Sequence, residues 1–132
     1  MADFAAGTWT LVDTKNFEEY LKAVGVGMVM RKMAAAIKPT QVIEVTGNSW
    51  VIKTLTTLKN TVLEFVLGQE FDEVTGDGRK CKTTFTLEGK KLTQVQKGTP
   101  DSVITREWDG DSMIMILSTD DAVCTRTYKR AT

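Results

Sequence analysis

"VITREWDGDSMIMILSTDDAVCTRTYK", residues 103 to 129, is the stretch on which the fold turns. It divides into three strand-like runs, "VITREWD", "MIMILS" and "AVCTRTYK", separated by the turn sequences "DGDS" and "TDD". Side chains alternate across a strand, so Ile104, Arg106 and Trp108 share one face, and Cys124, Arg126 and Tyr128 share another. If those faces met water, the interior would be built from Val103, Thr105, Glu107, Val123, Thr125 and Thr127, a poorer core that contains a carboxylate. Facing inward, they bury two guanidiniums, and arginine does not give up its proton to escape the cost. An anion is therefore required, supplied either by the protein or by a ligand. A buried arginine matched by an internal Asp or Glu is the structural alternative.

The two arginine strands flank the methionine-rich one. Neighbouring strands lie about 4.8 Å apart, which sets Arg106 and Arg126 about 10 Å apart at the backbone before their long side chains converge. Both could grip one carboxylate with their planar forks, and the Tyr128 hydroxyl adds a donor. Met115 and Leu117 share a face of the intervening strand and would line an adjacent apolar channel. A carboxylate head with a long apolar tail suits this arrangement.

Upstream, turn signals recur about every ten residues, at "TGN" (46 to 48), "LKN" (58 to 60), "GQ" (68 to 69), "TGDG" (75 to 78), "EGK" (88 to 90) and "KGTPD" (97 to 101). With a first strand at "GTWTLVD" (7 to 13), this rhythm predicts an all-β fold, an antiparallel up-and-down barrel of ten strands that closes to avoid two open edges. Ten strands should enclose a cavity, since about eight are already filled by side chains or one small ligand. Only residues 14 to 39 break the period. Asn16 with Glu19 has capping-box spacing, and Phe17, Tyr20, Leu21 and Val24 predict a helix of about two turns ending near Gly25. Val26, Met30, Met33, Ala34 and Ile37 share the face of a second helix that Pro39 ends. This hairpin, inserted between the first and second strands, is placed to cover one mouth of the barrel.

The 132 residues, 42% hydrophobic and 26% charged, are expected to form a single domain. Seventeen basic side chains against seventeen acidic ones leave no field to gather nucleic acid. "MADFAAGTW" has no leader character, and the longest uncharged run, Ala23 to Met30, is too short to span a bilayer. A soluble, cytoplasmic monomer is expected, with Cys81 and Cys124 as reduced, buried thiols. The methionines are core filler by default, although flexible thioethers also suit a variable tail. Between residues 15 and 38, five basic groups face two acidic ones, which permits transient contact between the lid and an anionic membrane.

Catalysis finds little support. There is no histidine to act as general base, metal ligand or triad member. Acidic pairs such as Asp72-Glu73 and Asp120-Asp121 point their side chains apart, and "GVG" and "GDG" lack the rest of a nucleotide fingerprint. A binding protein without metal or cofactor is expected, and a plain interaction module would be the reading if the cavity proved filled.

"GTWTLVDTKNFEEYLKAVGVG" (7 to 27), "LKNTVLEFVLGQEFDE" (58 to 73), "GRKCKTT" (78 to 84), "LTQVQKG" (92 to 98) and "AVCTRTY" (122 to 128) together carry a resemblance over nearly the full length. The chain resembles the intracellular lipid-binding proteins, most closely the cytosolic fatty-acid-binding branch of heart, adipocyte and myelin type. The resemblance implies a lipocalin-like (calycin) ten-stranded barrel under a helix-turn-helix lid, carrying one long-chain fatty acid such as oleate or palmitate noncovalently. It implies that Arg106, Arg126 and Tyr128 hold the carboxylate. Phe17, Tyr20, Met115 and Leu117 match residues that meet the tail, Leu58 matches a mouth residue that is often phenylalanine, and Gly76 with Asp77 matches the facing turn. Lys22, Arg31 and Lys32 match a basic group that in some relatives serves nuclear entry. The retinoic-acid-binding branch also uses two arginines and a tyrosine and shares "DGRKC" and "VCTR", so it is the alternative; a retinol carrier would have glutamines at the arginine positions.

Overall fold

The structure, a computed structural model, describes residues 3 to 131. Its ten strands are β1 (Gly7–Lys15), β2 (Thr40–Thr46), β3 (Ser49–Leu55), β4 (Thr61–Val66), β5 (Phe71–Val74), β6 (Lys80–Glu88), β7 (Lys91–Lys97), β8 (Ser102–Asp109), β9 (Ser112–Ser118) and β10 (Val123–Arg130). Helices α1 (Phe17–Ala23) and α2 (Met28–Ala35) lie between β1 and β2. Each predicted turn falls at a junction between two strands, several of them sharing an end residue with a strand. The strands form one antiparallel sheet in the order β4-β3-β2-β1-β10-β9-β8-β7-β6-β5, so the first and last strands are neighbours.

The alternation read from residues 103 to 129 is the alternation observed. Ile104, Arg106 and Trp108, then Met113, Met115 and Leu117, then Cys124, Arg126 and Tyr128 are buried. Register adds what spacing alone does not: Arg106 on β8 and Arg126 on β10 both lie directly opposite Met115 on β9. Cross-strand partners on one face stand side by side, so the pairing sets both guanidiniums at one level of the barrel.

Three expectations need correction. The sheet curls, but no ladder joins β4 to β5, so hydrogen bonding does not close the barrel. Side chains span the gap instead: Phe65 of β4 stacks on Phe85 of β6 with centroids 3.6 Å apart, and Phe71 of β5 lies 6.1 Å from Phe85. Aromatic contact thus stands in for a missing row of hydrogen bonds. Asn16 does precede α1, but in the left-handed region at φ 63°, with no side-chain cap bond, so the capping box does not form. An N-cap that accepts from the first turn needs extended backbone, which Asn16 does not have.

The apolar stripe of α2 is only partly engaged. Val26 and Ala34 pack against the core, whereas Met30 and Met33 are exposed, as are Met28 (65%) and Val29 (72%). No residue of α2 is buried. A short helix lying across a barrel mouth touches the barrel along one edge, so sharing a helical face does not ensure burial. Among the described residues, no helix is long and apolar enough to cross a membrane.

Candidate ligand-binding cavity

Beneath the helices lies a cavity of about 320 Å³, within the usual range for small-molecule sites. α1 contributes Phe17 and Tyr20, α2 contributes Met30 and Ala34, and the β5–β6 turn contributes Gly76 and Asp77. Met115, Leu117 and Ile104 form apolar wall, and Arg106, Arg126 and Tyr128 project from β8 and β10. Nine of the ten candidate residues thus meet around one space. Leu58 does not: it is exposed in the β3–β4 turn and forms no part of the wall.

The two arginines have different surroundings. Arg106 donates from Nε to Gln41 Oε1 at 3.3 Å and from Nη1 to Gln94 Oε1 at 3.0 Å. Arg126 packs its guanidinium over the Phe17 ring, 3.8 Å from the centroid, while its buried Nε finds no acceptor among the described residues. Burial pushes the pKa of both guanidiniums down, that of Arg106 to about 10, which still leaves it charged at neutral pH. Burial pushes the Tyr128 phenol up, against the opposing pull of Arg126 and Arg106, so it remains a protonated donor.

Neither arginine forms a salt bridge among the described residues. One carboxylate is nevertheless inside. Glu73 of β5 is buried, and its Oε1 accepts from Thr83 Oγ1 at 2.7 Å and from Gln94 Nε2 and Gln96 Nε2 at 3.1 Å each. Gln94 therefore bridges Arg106 and Glu73. At the helical end, Asp77 pairs with Arg79 at 2.8 Å and accepts from Thr75 Oγ1 at 2.6 Å. With Asp77 and Arg79 cancelling, and Glu73 set against Arg106 and Arg126, the lining holds one positive charge in excess.

The lid is fastened at α1. The Tyr20 hydroxyl bonds to Ser102 Oγ, which donates to the Ser118 carbonyl at 3.1 Å, so Tyr20 is the donor of that pair. Arg31 donates to the carbonyl of Val26, in the link between the helices, at 2.7 Å and Lys32 pairs with Glu18 at 3.0 Å, so two of the three residues of the basic group are tied within the helical hairpin.

Residues 6–131 match the lipocalin / cytosolic fatty-acid binding protein family. The chain belongs to that family. It is 58% identical over 130 residues to sodium/calcium exchanger regulatory protein 1 of Doryteuthis pealeii, covering 98% of each chain. It is 49% identical to fatty acid-binding protein homolog 5 of Caenorhabditis elegans, again over 98% of each. Its fold superposes on a Schistosoma mansoni fatty acid binding protein in complex with arachidonic acid, with a TM-score of 0.96 at 33% identity, covering 99% of this chain and 98% of the other. The family is one of lipid-binding carriers, and this member has the family's barrel and helical lid.

The polar wall of this family member was less legible than its arginines. In the sequence Glu73 reads only as half of the diverging pair Asp72-Glu73. Gln41, Gln94 and Gln96 carry no signal of their own. The alternation of "LTQVQK" offered one, because Gln94 and Gln96 share a face with Leu92, and that face is buried.

Proposed function

We propose that this protein carries long-chain fatty acids, with the carboxylate received between Arg126 and Arg106 and helped by the Tyr128 hydroxyl. The observation behind the proposal is the unbalanced charge: a buried positive excess, with Arg126 lacking an acceptor at Nε among the described residues, suits one monoanion. The tail runs against Met115, Leu117 and Ile104 and under Phe17, Tyr20 and the Gly76-Asp77 turn. It supplies most of the affinity, at about 0.8 kcal/mol per buried methylene, while the head fixes position. Leu58, exposed in its turn, would meet the ligand only in passage.

The test is displacement of a cavity-bound fluorescent probe from delipidated protein by oleate, methyl oleate and all-trans retinoic acid. Oleate should compete far better than its ester and better than retinoic acid. Retinoic acid in first place would keep the clamp but change the cargo. Equal competition by acid and ester would leave the arginines purely structural.

We further infer that the lid touches anionic membranes during transfer. Support comes from α2, where exposed Met28, Val29, Met30 and Met33 lie in a segment rich in basic residues. Transfer of a fluorescent fatty acid to anionic vesicles should slow several-fold in high salt and again in Lys22→Glu. Transfer indifferent to both would sink this contact.

A further inference from the structure

The wall between β5 and β7 carries a second polar centre that a plain fatty acid would leave unused. Glu73, Gln94 and Gln96 all line the cavity, and all are buried. The nearby donors converge on one atom, Glu73 Oε1, which takes the Thr83 hydroxyl and both glutamine amides. Gln94 spends its own oxygen on Arg106. Gln96 has no such outlet: its Oε1 is buried and accepts nothing among the described residues.

A buried acceptor without a donor is costly, and hydrocarbon offers none. The missing partner must donate a hydrogen bond. Charge decides what kind of donor it is: once a ligand carboxylate has balanced the excess at Arg106 and Arg126, the cavity is neutral, and an ammonium would restore an unpaired charge. A hydroxyl adds a donor without adding charge.

Resting on the fatty-carboxylate reading, we propose that the cavity selects fatty acids bearing a chain hydroxyl, which donates to Gln96 Oε1 beside Glu73. Because Gln94 links Glu73 to Arg106, the hydroxyl site is fixed relative to the head-group site, and selection should depend on where along the chain the hydroxyl sits. A hydroxyl set against the apolar wall of Met115, Leu117 and Ile104 would lose its water without replacement.

Stearate and monohydroxystearates with the hydroxyl at successive positions would be compared by probe displacement on the parent and on Gln96→Leu. One position, or two adjacent ones, should bind about tenfold tighter than the remaining isomers in the parent. In Gln96→Leu that preference should vanish, with every isomer falling to or below the affinity of stearate for the same variant. Gln96→Met, similar in length, takes its place should the leucine variant fail to fold. A flat series in the parent, as an ordered water bound to Gln96 would produce, overturns the proposal, and so does an optimum that survives the substitution. Stearate binding with a flat series removes this inference alone. Failure of stearate itself to displace the probe removes the carboxylate reading and this inference with it.

Discussion

Arg126→Gln is expected to weaken oleate binding about 100-fold while leaving the unliganded protein as stable as the parent or more so. The two effects share one cause. The guanidinium is buried and its Nε has no acceptor among the described residues, so it costs stability and is offset only in part by the Phe17 ring. A bound carboxylate would supply the missing partner, and losing one member of such a buried pair typically costs 2–5 kcal/mol, of which about 2.7 kcal/mol corresponds to 100-fold. Titration calorimetry with oleate and a thermal melt of the delipidated variant check both halves. Near-parental oleate affinity would refute the site. Arg106 should behave differently, because Gln41 and Gln94 already engage it, and its removal leaves their oxygens bare.

Phe85→Ala is expected to cost about 3–5 kcal/mol, a large share of the 5–15 kcal/mol typical of a domain. Phe85 is fully buried and is the ring against which Phe65 and Phe71 both pack. Those partners come from β4 and β5, the two strands without a ladder between them, so the substitution removes packing where no β4–β5 ladder compensates. The midpoint of urea unfolding should fall steeply, and amides of β4 and β5 should exchange faster than those of β9. Ile114→Ala, on the outer face of β9, should change stability by less than about 1 kcal/mol. A loss at Phe85 no larger than that at Ile114 would mean that the aromatic stack does not hold the gap.

The arginine strands were legible because each residue of "TREW" and "TRTY" has a neighbour two positions away that strongly prefers burial, so alternation fixes the face. β5 offers only Phe71–Val74, too few residues for alternation to separate Glu73 from Asp72, so the inner carboxylate carries no signal in the sequence. Its cluster draws on β5, β6 and β7, and the sequence does not state that register. Helix periodicity identified which residues of α2 share a side but not what that side meets, which depends on how the hairpin lies across the mouth. The unpaired β4–β5 boundary likewise depends on the curvature of the entire sheet, which no local pattern encodes.

Thr10 bonds to the Lys129 carbonyl across 119 residues of chain, within the ladder that joins β1 to β10. On a ribosome, β1 therefore emerges long before β10, one of its two ladder partners. Hairpins β2 to β4 and β5 to β9 can form as they appear and β1 can pair with β2, but the ladder from β1 to the strand carrying Arg126 and Tyr128 waits until β10 has been made. Contacts of such long sequence separation slow folding. Until then the buried side of β1, with Trp9 and Leu11, lacks the β10 contacts that help cover it, and the half-paired strand is open to wrong pairings and to capture by chaperones.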